Sequence, residues 1–215
     1  MTRPSGESLS VALPGARAGV SISPPRLLVD ASVMLAFVAA IVGSSYALSG
    51  FPNVKLFDML VFLAGYTLGA RRGVAVAVGA WLVYGNFNPF GPSGFPLIAV
   101  LMVSETAYAV AGAVARKVVR PENVRLLPSR AGLLFGAMAI ASTLVYDVAT
   151  NAYTGVHWAM LSQSSDYARW IGVALFNPGA LFFTAAHLSG NLLFFTALAP
   201  ALIKAGKKLG GRAKR

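Results

Sequence analysis

The stretch LLVDASVMLAFVAAIVGSSYAL, Leu27 to Leu48, decides the fold. Its only charged residue is Asp30, near the start. At a rise of about 1.5 Å per residue, a helix of this length covers the roughly 30 Å hydrocarbon core of a bilayer. Arg26 precedes the run, as in a cleaved leader, but a leader's apolar region is typically about 7–15 residues, shorter than this one. It therefore reads as a first membrane span.

Working outward, the rest of the chain repeats the pattern. Gly50-Phe51-Pro52-Asn53 marks a turn. Leu56–Ala70 and Gly73–Phe87 are two short apolar helices, with Arg71-Arg72-Gly73 reversing the chain between them. Each falls below the roughly 20 residues that span lipid alone, so each needs shielding by neighbours or extension at its outer end. Asn88 to Gly94 is a breaker cluster. Phe95–Ala115, Ala131–Ala152 and Ala180–Ile203 supply the remaining spans. Tyr153–Gly179 reads as an outer loop carrying a surface helix near Tyr167–Phe176. The expected fold is an all-α integral membrane bundle of six helices over residues 27–203. A disordered cytoplasmic tail (1–26) and a basic cytoplasmic tail (204–215) flank it.

Composition agrees. The chain is 56% hydrophobic and 12% charged, against about 25% charged in soluble domains. Too few charges remain to cover a water-facing surface. The net charge of +11 sits between the apolar runs and at the ends. That distribution belongs to a membrane protein in contact with lipid and argues against nucleic-acid binding. Three Lys or Arg precede the first span, two lie at Arg71-Arg72, five between Arg116 and Arg130, and six follow Ile203. The alternate connections hold Lys55 and Arg169 alone. This alternation predicts both termini on the cytoplasmic side of a multi-pass cell-membrane protein. With no cysteine and two histidines, disulfides, thiolate metal sites and multi-His centres are excluded. Neither a metal nor a cofactor is expected.

Chemistry concentrates in three acids inside the apolar runs: Asp58, Glu105 and Asp147. A carboxylate at a helix centre costs about 2.5–3.5 kcal/mol on insertion scales, so each must be paired, protonated or facing a polar cavity. Lys55 stands three residues from Asp58 and suits an ion pair. Helical spacing groups Glu105 with Tyr108, Asp147 with Asn151, and His187 with Asn191. These six are the candidate substrate-binding residues within the spans. The same residue types also serve as hydrogen bonds between membrane helices, and that alternative stays open. Ser32, Ala36, Ala40 and Ser44, four apart, form a small-residue strip suited to close helix contact. No G-x-x-x-x-G-K-[ST] motif occurs, so any work of uptake must come from another subunit or from an ion gradient.

The segment Phe51-Pro52-Asn53-Val54-Lys55-Leu56 through Leu68-Gly69-Ala70-Arg71-Arg72-Gly73 resembles the substrate-binding S components of energy-coupling factor transporters. Gly91-Pro92 before the fourth span and Asp147 to Asn151 late in the fifth are also similar. The resemblance implies a six-helix protein that is not an enzyme. It captures a vitamin-like small molecule near the outer face and docks on a transmembrane coupling subunit driven by two cytoplasmic ATPases. Ala36 and Ala40 match the family's docking strip. The loops that would cover the ligand hold Asn53, Asn86, Asn88, Tyr153, His157 and Trp158, of which Asn53 and Trp158 join the candidate binding set. Amide and aromatic groups suit a flat heteroaromatic ligand, and the acidic spans suit one bearing an amine or a cationic ring. Two other readings compete. Gly91-Pro92-Ser93-Gly94 with Ala186-His187-Leu188-Ser189-Gly190 looks like a rhomboid-type intramembrane serine protease with a Ser93/His187 dyad. A stand-alone secondary transporter would bind its ligand at mid-membrane without a partner.

Overall fold

The computed structural model describes residues 24–126 and 129–212. Its helices are α1 (Pro24–Ala47), α2 (Phe57–Leu68), α3 (Ala70–Asn86), α4 (Phe95–Val118), α5 (Arg130–Leu161), α6 (Tyr167–Phe176), α7 (Pro178–Leu193) and α8 (Ala199–Arg212). No strand occurs among the described residues. Four helical stretches are long and apolar enough to cross a membrane: Leu27–Ala47, Phe95–Val118, Arg130–Leu161 and Pro178–Lys208.

The burial pattern is inverted relative to a protein in water. Leu35, Val103, Leu133, Val145 and Leu193 point outward, while Asp58, Glu105, Asp147, His187 and Asn191 are buried. Apolar groups outside and paired polar groups inside are what a hydrocarbon solvent selects.

α2 and α4 cross at backbone contact. A Cβ placed on Gly65 would lie 2.0 Å from the Ala109 carbonyl oxygen, and one on Gly112 would lie 2.0 Å from that of Phe62. Only glycine permits this approach. The chain turns between α2 and α3 at Gly69, whose φ of 88° lies in the region open to glycine. The expected reversal at Arg71-Arg72-Gly73 is thereby corrected. Those residues already belong to α3, and Arg72 reaches Asp30 of α1 at 2.5 Å.

Three further expectations shift. α5 continues to Leu161, so Tyr153, His157 and Trp158 stand on a helix rather than in a loop. The loop after it is short, and α6 then begins on Asp166, whose carboxylate accepts from the Arg169 amide. α7 passes through a π-helical turn, Phe194–Leu198, straight into α8, so Lys204 onward is no separate tail up to Arg212. Pro200 explains the widened turn. It has no N–H to give the Thr196 carbonyl, and its ring crowds that same group. At the other end, Pro24 to Arg26 open α1, and the rest of the expected N-terminal tail lies outside the described residues.

Candidate functional site

The site grows from the short length of α2. After α1 the chain makes two turns and a short extended stretch, then starts α2 at Phe57. Asp58, in the first turn of α2, is thereby level with the middles of α5 and α7. An acid there meets the positive end of the helix dipole. Irregular backbone at such depth is tolerated where it lies against protein or lines a cavity.

His187 of α7 stands between two carboxylates. Its Nε2 is 2.6 Å from Asp58 Oδ2, and its Nδ1 is 2.8 Å from Asp147 Oδ1. Both contacts are hydrogen bonds only if the three groups share at least one proton beyond a neutral imidazole with two carboxylates. Asn191, one turn further along, donates through Nδ2 to Asp58 Oδ2 at 2.7 Å and to Thr143 Oγ1 at 2.9 Å. Tyr108 donates to the same Thr143 hydroxyl at 2.9 Å. In α4, Glu105 accepts from the Trp81 indole N–H at 3.2 Å. One oxygen of each acid, Asp58 Oδ1, Glu105 Oε1 and Asp147 Oδ2, is buried without a hydrogen-bond partner.

Lys55 closes the cluster. Its ammonium lies 3.7 Å from Asp58 Oδ1 and faces the rings of Tyr146, Trp81 and Phe57 at 4.6, 5.5 and 5.8 Å from their centroids. Burial opposes its charge, but the surrounding acids, Asp58 first, outweigh that and hold its pKa above the ordinary lysine range.

Above this layer lies an open cavity of about 830 Å³. The α1–α2 and α3–α4 connections form its rim, and Lys55, Trp81, Tyr84 and Tyr146 stand among its lining. The rim is held by its own amides. Asn53, at φ 54°, donates to the Phe183 carbonyl at 3.0 Å. Asn88 donates to Gly91 O at 2.8 Å and accepts from the Phe90 amide at 2.9 Å. The chain matches no family model, no curated protein and no solved structure. A second hollow of about 530 Å³ sits at the opposite, basic end, against Tyr66, Arg116 and Ile203, and none of the three buried acids lines it.

The expected residues separate into two groups. Tyr108, Asp147, His187 and Asn191 converge on one network, and Glu105 lies beside it through Trp81. They form the layer beneath the cavity and do not line it. Asn53 lines the cavity as a rim brace. Asn151 makes no side-chain hydrogen bond among the described residues and stays outside the network. Trp158, part-exposed on α5, does not line the cavity. Asn86 only returns to its own helix, at Leu82 O, and Tyr153 stacks on His157 one turn away. Sequence reasoning missed Trp81, Tyr146 and Thr143, which carry no charge to flag them. It named Asp58 among the three acids but left it out of the binding set as a partner of Lys55, although Asp58 is the hub. As for a Ser93/His187 dyad, both imidazole nitrogens are already taken by carboxylates, and Ser93 is held on the rim by its backbone N–H to Gly85 O.

Proposed function

We propose that this chain is a substrate-capturing membrane subunit of the S-component type. In this reading α2 and α3 complete a six-span bundle, both termini face the cytoplasm, and the cavity above Lys55 opens outward. The observation that carries the reading is that cavity: an aromatic hollow at the end of the bundle with the fewest basic residues, floored by a locked polar network. A second feature supports a partner. Ser32, Ala36 and Ala40 lie exposed along α1, and Ser44 is half-buried with its hydroxyl turned back to Ile41 O. α1 touches only α2 and α3 among the other helices with more than passing contact, so its outer strip is open to a helix of a coupling subunit. Two cytoplasmic ATPases on that subunit would supply the work that no motif in this chain provides.

The test is purification of the full chain from native membranes. Co-purification with a transmembrane protein and ATPases, and a small molecule identified by mass spectrometry of the extract, would support the reading. A chain that drives uptake alone in proteoliposomes under a pH gradient would replace it with the stand-alone transporter. The ionisable network of Asp58, His187 and Asp147 is the feature that alternative would use.

A further inference from the structure

The charges of the cavity do not match those of the helices behind it. Glu105, Asp147 and Asp58 suggest a cationic ligand when read along the chain. In three dimensions they are covered by Trp81, Tyr146 and Lys55. Among the described residues that line the cavity, Lys55 is the one charged side chain. The amides on the wall brace the rim: Asn53 donates to Phe183 O, and Asn88 is bonded to Gly85, Gly91 and Phe90. The indole N–H of Trp81 is turned inward to Glu105. Lys55 differs from these. Its nearest carboxylate oxygen stands at 3.7 Å, beyond hydrogen-bond distance, and it retains 16% of its side-chain exposure. The rings of Tyr146, Trp81 and Phe57 lie against its ammonium. Lys55 also lines the cavity, whose walls include the rings of Tyr84, Phe51, Phe90 and Phe183.

We propose that the substrate is an aromatic carboxylate, its acid group accepting a charge-assisted hydrogen bond from Lys55 Nζ and its flat ring packing on the Trp81–Tyr84–Tyr146 wall. This rests on the capture reading above and names its substrate class. A carboxylate satisfies the ammonium's open donors. An ammonium ligand would meet Lys55 as a like charge, with the acids out of contact behind it.

The experiment uses the full chain in lipid nanodiscs without any partner, so loss of the coupling proposal leaves it standing. Benzoate, indole-3-carboxylate and quinoline-2-carboxylate are titrated beside their primary amides and aminomethyl analogues, with thermal stabilisation as the readout. Carboxylates are expected to bind at least about tenfold more tightly than the matched amides, which is about 1.4 kcal/mol. Lys55→Gln should erase that preference, and Lys55→Arg should keep most of it. Three results would each overturn the proposal: no carboxylate stabilising the wild-type chain, amides or amines binding as well as the acids, or an unchanged preference in a folded Lys55→Gln. If Lys55→Gln does not fold, the wild-type comparison and Lys55→Arg decide alone.

Discussion

Asp58 is the residue on which the interior depends. It takes a hydrogen bond from Asn191, faces His187 and neighbours Lys55. Asp58→Ala strands all three groups in a low-dielectric interior, and breaking a buried pair this way costs about 3–5 kcal/mol. The expected outcome is a large fall in the thermal midpoint of the detergent-solubilised protein. Pairing it with Lys55→Met should cost less than the sum of the single changes, because that variant removes one of the stranded charges. Glu105 offers a finer comparison. Glu105→Gln keeps an acceptor for the Trp81 indole and should leave stability nearly unchanged. Glu105→Ala leaves that N–H buried and unpaired, a loss of about 1–3 kcal/mol, visible in the same melting curves. These effects could not be ranked from the chain alone. The i,i+3 spacing of Lys55 and Asp58 was legible, as were the shared faces of His187 with Asn191. The convergence of α2, α5 and α7 on one imidazole was not, since nothing local encodes which helices meet.

Among the elements, the α2–α4 crossing and the outer face of α1 behave oppositely. Gly112→Val would drive its side chain into the Phe62 carbonyl. Overpacking of this kind costs about 1–3 kcal/mol, and contact with backbone places it at the upper end. Gly43→Ala on α1 meets nothing within 4 Å and should melt like the parent, making it the matched control. Ala36→Trp adds bulk on an exposed face of α1. The isolated chain should stay as stable as before, while recovery of the complex with its coupling subunit, measured by pull-down, should fall sharply. Full assembly with tryptophan at this position would remove the strip from the docking reading. Elements were mostly readable because apolar run length and breaker residues are local properties. α6 appears where the sequence places it, at Tyr167–Phe176. The extension of α5 to Leu161 was not readable. Its last turns carry polar and aromatic groups that look like a loop, yet Gly155 is buried with α6 packed at its backbone.

For the whole molecule, topology is open to direct measurement because the chain has no cysteine of its own. Single cysteines at Gly50 and Ser165 should react with a membrane-impermeant maleimide in right-side-out vesicles, whereas Arg120→Cys and Lys208→Cys should react only after permeabilisation. Labelling of all four from outside would reject the six-span arrangement with its basic end inward.

By itself, the sequence determined the apolar character of this protein's helices, the positions of most of them and the alternation of basic charge along the chain. Run length, composition and the placement of Lys and Arg act locally and need no folded partner. Only the tertiary structure decided which polar groups meet and which charge faces the cavity. The acids that dominate a linear reading end behind Trp81, Tyr146 and Lys55. The reason is packing: α2 begins deep in the bundle, which carries Asp58 down to His187 and leaves Lys55 standing between that buried network and the open space above it.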